Sequence, residues 1–307
     1  MQEWFTQLYF LFFGSNSLLA PEYLLVAVFV AWGVYLVRRP GVGFRKWLLP
    51  GEIYGHKSSW LDIKLMVIGR VIDLVNILGR VSITTVVALW VADWVGRDGP
   101  LFGVMLAPLT LAFVFFLIQD ALLYGLHRAF HQISLIWPLH AVHHSAEVLT
   151  PITAYRQHPG AVVLSIAVIS TAFGFFQGLI LGAMPVETAA AQIAGTNAFL
   201  VLANFAVANL HHSHIWLSFG PVLERCFISP AQHQVHHSVN PAHFNKNYGQ
   251  TLAIWDWMFG TLYVVGKDEE ITFGLDGPLD APLMTHDLTA SVMNPLQRMW
   301  RTLRRTP

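Results

Sequence analysis

Apolar residues in this chain gather into long runs with almost no charge, and several of these runs approach the roughly 20 residues that cross a bilayer as a helix. Residues 23–37 form the first, closed by Arg38 and Arg39. No cation precedes this run and no small-residue cleavage site follows it, so it reads as an anchor rather than a signal peptide. Residues 81–94 and 101–123 form a pair joined by the turn-like segment Gly96, Arg97, Asp98, Gly99, Pro100. Residues 160–186 and 188–210 form a second pair, interrupted only by Glu187 after Met184 and Pro185. The pattern predicts an all-α integral membrane protein of about five transmembrane helices, an N-terminal span followed by two hairpins. Residues 66–78 are amphipathic and are expected in the interface. At the far end, residues 294–305 set Leu296, Met299, Trp300 and Leu303 against Arg298, Arg301, Arg304 and Arg305, which predicts a cytosolic interfacial helix.

The charged residues orient these spans. Of 18 Lys and Arg, all but Arg97 fall on residues 38–80, 124–159 and 211–307, which the positive-inside rule places in the cytosol. The organisation expected is an N-terminal anchor and interfacial region over 1–100, a catalytic unit over 101–265 and a cytosolic tail over 266–307. Composition agrees: of 307 residues, 54% are hydrophobic and 12% charged, and mean hydropathy is +0.50, which is poor for a water-facing surface. The 18 cations balance 18 anions, leaving no basic field for a nucleic acid. One cysteine, Cys226, excludes an internal disulfide, a thiolate zinc site and an iron–sulfur cluster.

Fifteen histidines are what remains unexplained. His127 and His131 stand four apart after the third run and share a helix face. His140, His143 and His144 follow as HAVHH, and His233, His236 and His237 repeat that spacing as HQVHH. Positions i, i+3 and i+4 turn three imidazoles to one side of a helix, as closing round a metal requires. The predicted topology brings all three boxes to the cytosolic mouth of the hairpins. His212 is a further ligand candidate there, chosen from His211, His212 and His214 because adjacent helical residues cannot all face one site. Imidazole suits Zn, Cu, Fe and Ni alike, but eight or nine nitrogens exceed the needs of one ion and serve two. The carboxylate-rich alternative needs a Glu with a His three residues on, and the chain has none. A metal transporter would place its ligands near the bilayer midplane, whereas these boxes lie at span ends, and a structural metal protein has no use for open coordination positions. Asp120 and Tyr124 extend the His127 face up the third span, where Asp120 is expected to accept an N–H from a liganding imidazole.

At these residues the sequence resembles the fatty acid hydroxylase and sterol desaturase superfamily of membrane-bound non-haem diiron oxidoreductases. The likeness is carried by DALLYGLHRAFH from Asp120, HAVHHS from His140, RQHP from Arg156 and SPAQHQVHHS from Ser229. It continues in NYG at Asn247 and WDWMFGT at Trp255, and covers about residues 110–265. The resemblance implies His127, His131, His140, His143, His144, His233, His236 and His237 as iron ligands, with His212 matching a histidine often found upstream of the last box. Family members commonly have Asn where this chain has His214, which leaves open whether His212 or His214 coordinates. His158 matches a family His-Pro and is a further candidate. Asn247, Tyr248, Trp255 and Asp256 are expected to lock the last box against the preceding helices. The implied activity is hydroxylation, or alternatively desaturation, of a membrane lipid with two iron ions and dioxygen. The chain holds no motif for haem or flavin, so a separate electron-donor protein is implied. The enzyme is then multi-pass, in a bacterial inner membrane or endoplasmic reticulum, with its active site facing the cytosol.

Overall fold

The computed structural model describes residues 9, 12–14, 17–99, 101–103, 107–184, 208–266 and 269–305. The principal helices are α1 (Pro21–Arg38), α2 (Lys57–Gly96), α3 (Pro108–Gln132), α4 (Trp137–His144), α5 (Pro159–Ala183), α6 (Pro230–His236), α7 (Ile254–Met258) and α8 (Leu288–Arg305). Among the described residues there is no β-strand, only the isolated bridges Phe227 to Leu252 and Ser238 to Phe273.

Three of these helices, α1, α3 from Leu109, and α5, are long and apolar enough to cross a membrane, and Ile83–Gly96 of α2 is a shorter apolar segment. Each of the three begins with proline in its first turn, where a missing N–H costs nothing and the fixed φ suits the helix. Their outward faces carry Phe29, Leu109, Val163 and Phe175, all exposed, as does α2 with Val86 and Trp90. Such side chains belong against lipid. The fifth expected span, residues 188–210, lies outside the described residues except for its last three, as do residues 185–186 of the fourth.

Two element boundaries differ from the sequence expectation. The amphipathic segment 66–78 and the run 81–94 are one uninterrupted helix, α2, because no proline intervenes. The third run enters its helix at Pro108 rather than at residue 101, and α3 then continues to Gln132. The first histidine pair thus sits in the last two turns of the spanning helix itself. Residues 101–103 instead cross to the end of α5, where the Phe102 N–H donates to the Ala183 carbonyl at 3.0 Å.

Helices α2 and α5 run parallel in close backbone contact. A Cβ added at Gly174, Gly178 or Gly182 would stand 2.6 Å from the carbonyl oxygen of Thr84, Ala88 or Ala92 respectively. Small residues every four positions allow this approach, the small-xxx-small packing of membrane helices. The apolar end of α2 therefore lies at the depth of α5. Beyond the spans, a core of Leu61, Leu65, Ala141, Val142 and Leu283 joins the start of α2 to α4 and to the turn before α8. A second cluster of Phe130, Leu139 and Ala161 seats α4 between the ends of α3 and α5.

Candidate metal centre

Helical spacing places His127 and His131 on one face of α3, and α4 turns His140, His143 and His144 towards them. The start of α6 is fixed by a capping box: the Gln232 N–H donates to the Ser229 hydroxyl (3.1 Å) and the Ser229 N–H to Gln232 Oε1 (3.0 Å). That sets the direction in which His233, His236 and His237 point. The boxes do not stay separate. His127, His131, His140, His144 and His236 form one group and His143, His212, His233 and His237 another, each with candidate ligand atoms within 4.8 Å of one another. The groups adjoin, since His144 stacks on His237 with ring centroids 4.5 Å apart.

The ring nitrogens show that these groups fit metal ions. In the second group, Nε2 of His212 lies 3.2 Å from that of His143, 3.0 Å from His233 and 3.2 Å from His237, and the last two are 3.3 Å apart. Nitrogens bound to one metal at about 2.1 Å stand about 3.0 to 3.4 Å from each other, depending on geometry. In the first group, His127 Nδ1 lies 2.7 Å from the Tyr248 carbonyl and His236 Nδ1 lies 2.8 Å from that of Lys246. A carbonyl only accepts, so each Nδ1 carries the proton and each Nε2 is left with its lone pair. Nε2 of His131, His144 and His236 is buried with no hydrogen-bond partner. Buried ring nitrogens without partners are costly unless something completes them, and His236 Nε2, an acceptor, calls for an electropositive partner. Burial pushes the His143 imidazole down to about 3 and holds His140, His144, His212, His233, His236 and His237 well below the ordinary histidine range. These rings are therefore neutral at physiological pH, the form that ligates metals.

The surrounding residues hold this arrangement. Asp256 accepts from the N–H groups of Tyr248 (2.9 Å) and Gly249 (2.8 Å) and from the Thr261 hydroxyl (2.6 Å), fixing the segment whose carbonyl receives His127. Asn247, at a positive φ of 55°, donates to the Gln232 carbonyl of α6 and accepts from the Tyr263 N–H. Asp120 does not bond an imidazole. Its Oδ2 takes the Trp255 indole N–H at 2.9 Å and the Leu252 N–H at 3.2 Å, because the side chain faces the turn before α7. Tyr124 likewise acts at one remove, with its hydroxyl 3.0 Å from that of Thr261.

Two candidates stand apart from both groups. His158 caps α5, its Nδ1 accepting from Gly160 N–H at 2.9 Å and its Nε2 donating to the Val292 carbonyl of α8 at 2.9 Å. His214 turns to the Trp47 carbonyl at 2.9 Å, which leaves His212 as the member of that stretch within a group. His211 lies behind it, stacked on His233 with centroids 5.2 Å apart.

Arg156 is a residue whose part the sequence motif does not disclose. It is fully buried and pairs with buried Asp62 of α2 at 2.8 Å. It also donates to the Val142 carbonyl (2.8 Å), to the hydroxyl (2.8 Å) and carbonyl (3.2 Å) of Ser145, to the Ser58 carbonyl (3.1 Å) and to His286 Nδ1 (3.1 Å). The guanidinium thus closes the carbonyl end of α4, where His143 and His144 sit. His286 hands its other nitrogen to Glu147, and with His56 these form a third histidine–carboxylate cluster. That cluster does not suit a metal: an arginine N–H occupies His286 Nδ1, so Nε2 must keep its proton.

Residues 112–261 match the family model described as fatty acid hydroxylase. Among curated proteins, the alkylglycerol monooxygenase of Homo sapiens is 28% identical over 262 residues, covering 85% of this chain and 52% of that protein. The alkylglycerol monooxygenase of Danio rerio is 33% identical over 164 residues, 53% of this chain and 32% of its own length. Ornithine lipid hydroxylase OlsE of Rhizobium tropici is 33% identical over 156 residues, 50% of this chain and 42% of its own. The chain spans about half or less of the length of these relatives. The human alignment, at 262 residues, is longer than the stretch 110–265 that carries the motifs. No solved structure matches the chain.

Proposed function

We propose that this protein, whose residues 112–261 match the fatty acid hydroxylase family model, hydroxylates a membrane lipid with dioxygen at a centre of two iron ions. His127, His131, His140, His144 and His236 hold one ion, and His143, His212, His233 and His237 the other. The observation that carries this reading is the convergence of histidine nitrogens into two adjoining groups at the end of α3, with Nε2 of His131, His144 and His236 in the first group left without a hydrogen-bond partner. When bound, iron with open positions supplies the activation of dioxygen needed to oxidise an unactivated C–H bond.

The chain's own residues set the conditions. The carbonyls of Tyr248 and Lys246 keep protons on Nδ1 of His127 and His236. Burial keeps His140, His143, His144, His212, His233 and His237 neutral. His131 is the partly exposed member of the first group, flanked by the rings of Trp137 (centroids 5.1 Å) and Tyr248 (5.1 Å). We place the approach of the lipid there, with the two aromatic rings excluding water. The relatives' names, monooxygenase and hydroxylase, favour oxygen insertion over desaturation, and their named lipids, alkylglycerol and ornithine lipid, both pair an apolar chain with a polar head. Reducing equivalents come from a separate donor protein.

The catalytic unit is assigned to residues 101–265, between the anchor region 1–100 and the tail 266–307, with five spans and the histidines facing the cytosol. The parallel course of α2 and α5, and the bond that joins the 101–103 segment to the end of α5, support that topology: the second and fourth spans leave the cytosol together. Lipid mass spectrometry of cells expressing the protein or its His143→Ala variant tests the reaction. We expect a lipid one oxygen atom heavier with the native chain alone. A product only two hydrogens lighter would make the reaction desaturation, and identical lipid profiles would refute both.

A further inference from the structure

We propose that α8 is a docking surface for acidic phospholipid headgroups, lying along the cytosolic leaflet where α3 and α5 emerge. The helix has three faces. Ser291, Pro295 and Met299 point into the protein, with Met299 packed on the cluster of Phe130, Leu139 and Ala161. Phe130 lies two residues before the end of α3 and Ala161 two residues after the start of α5, so this contact sets α8 at the level of the membrane boundary. The second face exposes Met293, Leu296, Trp300 and Leu303 at 46%, 43%, 57% and 53%. Water is a poor solvent for such a stripe, whereas the acyl and headgroup boundary suits it, tryptophan above all.

Charge identifies the lipid. The sequence of α8 contains Arg298, Arg301, Arg304 and Arg305 and no acidic residue. Arg298 is committed to Asp280. Arg301 and Arg304 are exposed beside the apolar stripe, and the Arg304 guanidinium lies 4.7 Å over the Trp300 ring. Cations edging an apolar stripe reach anionic headgroups while their stems stay on the apolar side. A soluble acidic protein would answer the arginines but not the exposed apolar side chains of Met293, Leu296 and Trp300. The surface adjoins the site, because the Val292 carbonyl of α8 takes the His158 N–H and α8 packs on α4. The inference rests on membrane embedding and on the cytosolic orientation proposed above, and holds whatever chemistry the histidines perform.

The test uses the full chain in nanodiscs of phosphatidylcholine alone or of an equimolar mixture with phosphatidylglycerol. A bimane label is placed at Leu303→Cys, at Leu296→Cys as a second position on the stripe, or at Gln297→Cys as an exposed comparator, each with Cys226→Ser. We expect both stripe labels to be quenched by lipid-borne nitroxide and shielded several-fold from iodide relative to Gln297→Cys. The shielding should be stronger in the acidic bilayer, fall with added salt, and lose its lipid dependence when Arg301 and Arg304 are both changed to Gln. Equal iodide quenching at all positions in both bilayers would overturn the proposal. So would shielding of the same size in acidic and neutral bilayers, or shielding that appears only when a soluble acidic protein is added.

Discussion

A single imidazole can be removed from each group without touching the other. His143→Ala takes a nitrogen from the second group and His236→Ala one from the first. Each is expected to abolish turnover and lower bound metal while the protein still inserts, read by metal analysis of purified variants. His214→Gln is the contrast, since its ring bonds the Trp47 carbonyl, and its metal content should stay at the native level. Arg156→Gln should be more damaging to the fold than to any one ligand. It leaves Asp62 buried without its cation and removes the guanidinium's bonds to the carbonyls of Val142, Ser58 and Ser145, a loss of about 3 to 5 kcal/mol that a thermal melt will show. That the box histidines gather was legible in the sequence because imidazole spacing is distinctive, whereas the choice between His212 and His214 stayed open there, and it is His212 that joins a group. Asp120, His158 and His214 were not, because spacing fixes a helix face but not which neighbouring chain that face meets. The carbonyls of Tyr248 and Lys246, which set two tautomers, have no side-chain signature at all.

Helix boundaries followed chemistry that hydropathy averages hide. Pro108 starts α3 seven residues after its apolar run begins, and the displaced length carries the first histidine pair within the helix. The amphipathic segment 66–78 and the span after it merge, since nothing between them breaks a helix. Gly174, Gly178 and Gly182 stand four residues apart, a spacing that hydropathy does not single out, and their contact with Thr84, Ala88 and Ala92 shows what it serves. Gly178→Leu is therefore expected to wedge α2 from α5. A Cβ there meets the Ala88 oxygen and the Val91 Cβ at 2.6 Å each, and overpacking of this kind costs about 1 to 3 kcal/mol. The melting temperature in detergent will fall, whereas Gly69→Ala, with open space around it, should leave it unchanged or raise it.

Across the whole molecule, a membrane frame and a histidine centre are built from the same helices. The final turns of α3 carry His127 and His131, α5 begins beside them, and α8 packs on α4. Composition alone showed a neutral chain, yet its cations lie almost wholly on one side of the predicted spans. Single cysteines at residues 97–99 should accordingly react with an impermeant reagent from outside only, in a Cys226→Ser background. Labelling from the cytosol would invert the assigned topology. Two histidine groups call for two metal ions per chain, one in each. Anaerobic purification of the iron-loaded protein followed by metal analysis tests it most directly: two irons per chain are predicted, falling on removal of either His236 or His212. A fully loaded native sample that holds only one ion, or none, would contradict it.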